Sequence, residues 1–276
     1  MNKIPQNNLK IEVKKSKEVF TLFCVLNALG YDEENNAKGM SPVRKRVRKI
    51  LSKHNWNEKY PELKKIIGKY HQYYLLKALF TKSKKISSLN RFVSHLKKIS
   101  KEKIILKLWK IDKTYQMKEA KRIYPLFKRE INRLIKFIGK SPKQIEKFIL
   151  IANPLDAYWR GYGFVIQKTA YVIVGPGAQD RGGRLIRHEL LHILKPILQI
   201  LLPAATNKDR MRLAAMGYGT RRAINEEYLV RSLNLLYESE ILKKSITKDV
   251  KNEEKIFPRF WKAMALVKKE IEKGRP

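Results

Sequence analysis

The sequence predicts a mostly helical α+β fold with a small sheet and one helix that carries the chemistry. Three observations lead there. Apolar residues recur at three- and four-residue spacing through most of the first 150 residues. Two β-branched and aromatic runs follow, Phe164-Val165-Ile166 and Tyr171-Val172-Ile173-Val174. After them comes His188-Glu189-Leu190-Leu191-His192, whose two histidines share one face on a helix.

The first element reads as a strand, because Leu9, Ile11 and Val13 alternate with Lys10 and Glu12. The apolar stretch Val19 to Leu29 reads as a helix closed by Gly30, and 31–39 as a polar loop. Ser41-Pro42 supplies a cap and a first-turn proline for a helix with Val43, Val47, Ile50 and Leu51 inward. Pro61 opens the next, with helical spacing from Leu63 through Leu79 and an aromatic cluster at Tyr70, Tyr73 and Tyr74.

Residues 81–150 hold 21 basic and five acidic residues and read as four helices, each with a dry and a basic face. Leu89, Phe92, Val93 and Leu96 mark one. Ile104, Ile105, Leu108 and Trp109 mark a second. Ile123, Leu126, Phe127, Ile131, Leu134 and Ile135 mark a third. Ser141 and Pro142 open a fourth that contains Ile145 and runs to Ile151.

The texture changes at Asn153-Pro154. Gly161 and Gly163 precede two short paired strands, and Gly175-Pro176-Gly177 ends the second, Tyr171 to Val174, which is placed to pair with an extended peptide. A loop with Asp180, Gly182 and Gly183 leads to a helix beginning near Leu185 and ending near Pro196. Asn225 to Arg231 lies on another helix. A last helix, Phe257 to Ile271, packs back through Phe260, Trp261, Ala265 and Val267. The expected division is a helical basic front region over 1–155, continuous with a catalytic core over 156–245, and a C-terminal helix over 246–276.

Composition narrows the function. The chain has 276 residues, 43% of them hydrophobic, enough for a sizeable core and too many for a wholly disordered chain. Cys24 is the only cysteine, which excludes an intrachain disulfide framework and any multi-cysteine zinc or iron–sulfur site. The start lacks the pattern of a signal peptide. The greasy runs Val19 to Leu29 and Ile197 to Ala205 are too short to span a bilayer. The expectation is a cytoplasmic protein without a transmembrane segment.

Lys and Arg number 61 against 25 Asp and Glu, a net charge of +36. That excess implies non-specific association with nucleic acid or anionic surfaces. Lys82, Lys84 and Lys85 form one basic cluster, and Lys97, Lys98, Lys101 and Lys103 another. Tyr70, Tyr73, Tyr74 and Trp109 have faces on which bases stack, but no nucleic-acid module accompanies them.

The five-residue motif carries the specific chemistry. Two imidazoles at i and i+4 reach one zinc ion, and the intervening Glu189 is placed to take a proton from water there. Random placement of this chain's histidines and glutamates gives roughly 0.006 matches, so chance does not explain it. A catalytic site needs a third protein ligand and an open position. The positions that would extend the motif hold Lys195 and Leu198, so the ligand comes from elsewhere. His54, His71 and His95 lie in the lysine-rich front half. Glu226 and Glu227 are the better source. Val230, Leu233 and Tyr237 share a face most nearly with Glu226, while Glu227 has Arg231 one turn on. Arg231, Tyr228, Tyr237 and Tyr218 are candidates for contacts to substrate or transition state.

The motif followed by a glutamate on a second helix resembles the zincin metallopeptidases with a glutamate third ligand. Within that class the chain is similar to a poorly characterised bacterial group. The likeness is carried by Leu26-Asn27-Ala28-Leu29-Gly30-Tyr31, Asn153-Pro154-Leu155-Asp156, Gly161-Tyr162-Gly163, Val174-Gly175-Pro176 and Glu227-Tyr228-Leu229-Val230-Arg231-Ser232. It implies a zincin-like core, one zinc ion per chain held by His188, His192 and Glu227, Glu189 as general base, and a peptide or protein substrate. Members often carry an export signal, which this sequence lacks at its start. Two rival readings share the residues. One is a basic protein associated with nucleic acid or membrane whose His-Glu-x-x-His is not catalytic. The other is a zinc hydrolase for a non-peptide amide or ester.

Overall fold

The computed structural model describes residues 9–31, 39–81, 87–138, 144–194, 206, 211, 213 and 220–274. It is α+β, predominantly helical with one small open sheet. The chain divides into two compact units. One comprises Asn7–Phe127 and Ile145–Ile186, and the other Met1–Gln6, Lys128–Gln144 and Arg187–Pro276. The division expected at 155 falls between the second and third strands of the sheet.

The first unit holds the sheet: β1 (Lys10–Val13), β2 (Lys147–Ala152), β3 (Gly161–Ile166) and β4 (Thr169–Val174). Their spatial order is β1-β2-β4-β3. The β1, β2 and β4 strands run parallel, with Ile11 opposite Phe148 and Ile149 opposite Tyr171. The β3 and β4 strands form the expected hairpin, with Tyr162 opposite Ile173. Gln167 takes the positive φ of 54° that suits its two-residue turn. Because β4 is paired on both sides, it has no open edge for a peptide, and that expectation is corrected.

Residues 147–152 form β2, not the end of a helix from Ser141. Phe148 through Ala152 are all buried, as in a parallel strand covered on both faces, where alternation disappears from the sequence. Residues 139–143 lie outside the described part.

The helices follow their sequence signals closely. Ser16 caps α1 (Lys17–Ala28), and Gly30 beyond it has φ 97°. Ser41 caps α2 (Pro42–Leu51), accepting from the Arg44 amide. After the short α3 (Trp56–Lys59), the helical spacing from Leu63 to Leu79 resolves into α4 (Pro61–Lys69) and α5 (Gln72–Phe80). His71 caps the second by accepting from the Tyr73 amide. Tyr73 packs edge-on against Phe164, and Trp109 lies against Phe20, so these rings belong to the packing.

The α6 helix (Ser87–Ile99) is as expected, but the next two expected helices are one, α7 (Lys103–Ile138). Its inward stripe passes through Leu108, Asp112, Gln116, Ala120, Ile123 and Phe127. The polar members hid that continuity. Asp112 pairs with Arg46, and the Gln116 side chain accepts from the Ser16 amide at 2.8 Å.

Two of the motifs behind the family resemblance, residues 26–31 and 153–156, meet inside this unit. Asn27 donates to the Leu155 carbonyl at 3.0 Å, Ser41 to the Pro154 carbonyl at 3.0 Å, and the Tyr31 hydroxyl to Asp156 Oδ1 at 2.7 Å. The fully buried Arg44 donates to Asn27 Oδ1 at 2.6 Å and to the Tyr31 carbonyl at 2.8 Å. A Cβ on Gly175 would lie 2.5 Å from the Ala157 carbonyl oxygen, so only glycine fits there. These residues fasten α1 and α2 to the loop between β2 and β3.

The α8 helix (Asp180–Leu194) begins in this unit. Gly182 and Gly183 interrupt its first turn with φ of 64° and 79°, so regular turns start close to the expected Leu185. Residues 195–205, including Pro196, lie outside the described part.

The second unit contains α9 (Arg221–Glu240), α10 (Thr247–Ile256) and α11 (Phe260–Gly274). Ile224, Tyr228 and Leu235 pack with Phe257, Phe260 and Ala263. The inward face of α11 is Phe260, Ala263, Val267 and Ile271. Trp261 and Ala265 are exposed, which corrects the expectation for them: they stand off this i, i+3, i+4 row. Among the described residues, no helix is long and apolar enough to cross a membrane.

Asp156 yields a pH prediction. Burial pushes its carboxyl up from 3.8 to about 6, against the pull of the Tyr31 hydroxyl and the Ala157 amide. The folded state therefore binds this proton more tightly than the unfolded state. Its contribution to stability is full below about pH 4 and falls as pH rises through about 6, a change worth about 3 kcal/mol. Asp156→Asn keeps an acceptor for Tyr31 and removes the titration. In urea unfolding, the stability of Asp156→Asn relative to wild type should rise by about that amount between pH 4 and pH 7. A difference that stays flat with pH contradicts the assignment.

Candidate metal centre

Two helices build this site. Along α8, His188 and His192 stand one turn apart on one face, as i and i+4 residues must. Their Nε2 atoms are 3.1 Å apart. From α9, Glu227 brings Oε1 to 3.1 Å from His192 Nε2 and Oε2 to 3.7 Å from His188 Nε2. One donor atom from each residue gives a set lying within 4.8 Å of one another.

Ligand atoms at 2.0–2.1 Å from a tetrahedral zinc ion stand about 3.3 Å apart; the two Nε2 atoms, and His192 Nε2 with Glu227 Oε1, are 3.1 Å apart, close to that value, while the carboxylate approaches His188 through its other oxygen. Two imidazole nitrogens and a carboxylate suit a divalent metal and leave one position open. The three residues form an HExxH-type triad of zincin-type arrangement. It is the one such group among the described residues. His54, His71 and His95 are not in it; His71 is a helix cap, and His95 faces Glu62 at 3.6 Å.

The adjacent glutamates divide two tasks. Glu227 faces Nε2, the ligand side of His192. Glu226 faces the other nitrogen, accepting from Nδ1 at 2.7 Å. That bond holds the ring with Nε2 turned toward Glu227. Sequence periodicity had favoured Glu226 as the ligand. It misled because α9 is buried on nearly every side from Glu227 to Glu238, so burial does not mark one face.

Charge in the site is concentrated and paired. Burial works to lower the pKa of His192, but Glu226, Glu227 and Glu189 raise it to about 10. Burial raises the Glu227 carboxyl, while His188 and His192 hold it well below the ordinary range. Glu189 is itself buried, next to His188 on α8.

Arg231 is committed to Glu227. Its Nε donates to Glu227 Oε2 at 2.9 Å, and its Nη1 to Glu253 Oε2 on α10 at 2.9 Å. The guanidinium lies over the Phe257 ring, 4.8 Å from its centroid. Tyr228 is buried and donates its hydroxyl to the Pro258 carbonyl at 2.7 Å, so it fastens α9 to the segment before α11. Tyr237 lies ten residues beyond Glu227, about 15 Å along the helix, and packs on Phe137. Neither tyrosine joins the triad. Tyr218 lies outside the described residues.

A second cluster went unnoticed in the sequence. Arg187, directly before the motif, is fully buried. It donates to Glu238 Oε1 at 2.6 Å and to Asn234 Oδ1 at 3.2 Å, both on α9, and lies 3.5 Å from Glu130 Oε2 on α7. Its signal was an arginine in the apolar phase of Leu190, Leu191 and Leu194. Removing the guanidinium would take the cation from the buried Glu238, while Glu130 keeps Arg129 and Arg133 nearby, a loss on the order of 3 kcal/mol.

No family model, curated protein or solved structure matches this chain. The reading of the site therefore rests on its residues and their geometry.

Glu226→Ala tests the division of tasks. Losing the partner of a ligand histidine typically weakens metal binding 10- to 100-fold, and chelator competition should give a loss of that size, about 10- to 100-fold. An unchanged affinity would show that Glu226 does not orient His192.

Proposed function

We propose that this protein is a zinc-dependent metallopeptidase that hydrolyses peptide bonds. The observation that carries the reading is the convergence of His188, His192 and Glu227 on one point, with Glu189 beside them on the active-site helix. A triad of this kind on a helix is consistent with a metal-activated hydrolytic centre. Zinc is the metal that the donor set favours, since two imidazoles and one carboxylate with an open position are its common catalytic set.

A bound zinc ion supplies Lewis acidity and makes water acidic enough to ionise near neutral pH. The chain's own residues do the rest. His188 and His192 would present their Nε2 atoms to the ion, and Glu226 holds the second ring in place. Arg231, itself held by Glu253, holds the Glu227 carboxylate, so the ligand set is ordered before any substrate arrives. Glu189 is the general base: it takes the proton of the attacking water and hands it to the leaving amine. Its burial keeps bulk water from competing for that proton. Arg231 acts here by holding Glu227.

The same machinery would open an ester or another amide. A peptide is favoured by the resemblance to the zincin peptidases, and the substrate follows from a screen of peptides beside small esters.

Glu189→Gln removes the base and nearly preserves shape. The variant should bind zinc as wild type does while peptide hydrolysis falls by about 100-fold or more. Turnover at the wild-type rate would remove Glu189 from the mechanism. Turnover of small esters with no cleavage across a broad peptide set would move the substrate class.

A further inference from the structure

The exposed face of α7 between Lys103 and Arg122 has a composition that the metal centre does not account for. Ten positions there are exposed. Six are basic: Lys103, Lys107, Lys110, Lys118, Lys121 and Arg122. Three are large and apolar: Leu106, Ile111 and Tyr115, exposed by 43%, 53% and 43%. The tenth is Thr114. The segment's two carboxylates are turned away from this face or neutralised. Asp112 is buried and paired with Arg46, and Glu119 is half-buried and paired with Arg122 at 2.6 Å.

We propose that this face of α7 docks on an anionic lipid bilayer. The segment is 20 residues long, so it offers a stripe of about 30 Å. Lys107, Ile111 and Tyr115 succeed one another at four-residue steps, and Leu106 and Lys110 run beside them. Apolar side chains are thus interleaved with cations along one line. That is the chemistry of a helix lying in a lipid interface, with the apolar groups entering the acyl boundary and the lysine stems reaching up to the headgroups. The charge is complementary to acidic headgroups. A polyphosphate backbone would use the cations but would leave Leu106 and Ile111 in water. The stripe is also nearly all lysine, which lacks the planar fork of arginine used to read bases. The helix lies on the surface and does not span, because its opposite face is committed to the core through Leu108, Ala120 and Ile123.

The test is co-sedimentation of the full chain with phosphatidylcholine vesicles, with and without a minority of phosphatidylserine. The protein should bind the phosphatidylserine vesicles, and more weakly at about 0.5 M salt, where charges are screened within several ångströms. The paired variant Leu106→Ser with Ile111→Ser changes only exposed side chains and should lower the partition coefficient at least about tenfold. The triple variant Lys107→Glu, Lys110→Glu, Lys118→Glu should do the same. A charge-matched triple elsewhere, Lys244→Glu, Lys248→Glu, Lys255→Glu, should change it less than about threefold. Equal losses in the two triple variants would mean that net charge alone is responsible and would overturn the proposal. So would serine variants that bind like wild type, an absence of vesicle binding, or a preference for DNA or RNA that the serine substitutions leave intact.

Discussion

The metal centre depends on how α8 and α9 are held against each other. The two helices run antiparallel there. Arg187 meets Asn234 and Glu238 near one end of the shared stretch, and His192 meets Glu226 and Glu227 at the other. The first contact is a buried, charge-assisted pin remote from solvent. The second is the site itself. A slip of one turn would carry the histidines about 5.4 Å past Glu227 and leave the Arg187 guanidinium without its carboxylates. The pin supplies little net stability beyond what a well-packed apolar group would give, and buried ion pairs of this kind are better understood as fixing one arrangement. Here the arrangement is the register of His188 and His192 against Glu227.

Outward from that pairing, the site is held by carboxylates and cations in alternation. Glu226 fixes a histidine, Arg231 fixes Glu227, and Glu253 from α10 fixes Arg231. The polar α10 helix has no fully buried residue; Val250 and Ile256 pack on the edge of the core around Tyr228 and Phe257, and its polar contact with the site runs through Glu253. In the sheet unit a similar device does a different job. Asn27, Tyr31 and Asp156, from the short motifs of the family resemblance, form a buried polar hub with Arg44. Their role in this structure is to fasten two helices to the loop between β2 and β3.

Much of this was legible in the residues. The helix with His188 and His192 was marked by its spacing, the cap at Ser41 by its chemistry, and the hairpin from β3 to β4 by its β-branched runs. The failures have physical causes. The continuity of α7 was hidden because Asp112 and Gln116 take core positions and are satisfied by partners far away in sequence. The strand at 147–152 looked helical because a strand buried on both faces has no alternation. Periodicity leaned to Glu226 over Glu227, because which carboxylate faces which imidazole nitrogen is set by tertiary packing and leaves no mark in the spacing. Arg187 did carry a signal, a charge in an apolar phase, but its partners were beyond the reach of the sequence.

The central claim is that these residues hold a metal ion, and elemental analysis of the purified protein tests it most directly. About one zinc ion per chain is expected, with none in a His188→Ala, His192→Ala double variant that remains folded by circular dichroism. No zinc in the wild-type protein, even after reconstitution, or equal zinc in the double variant, would contradict the account.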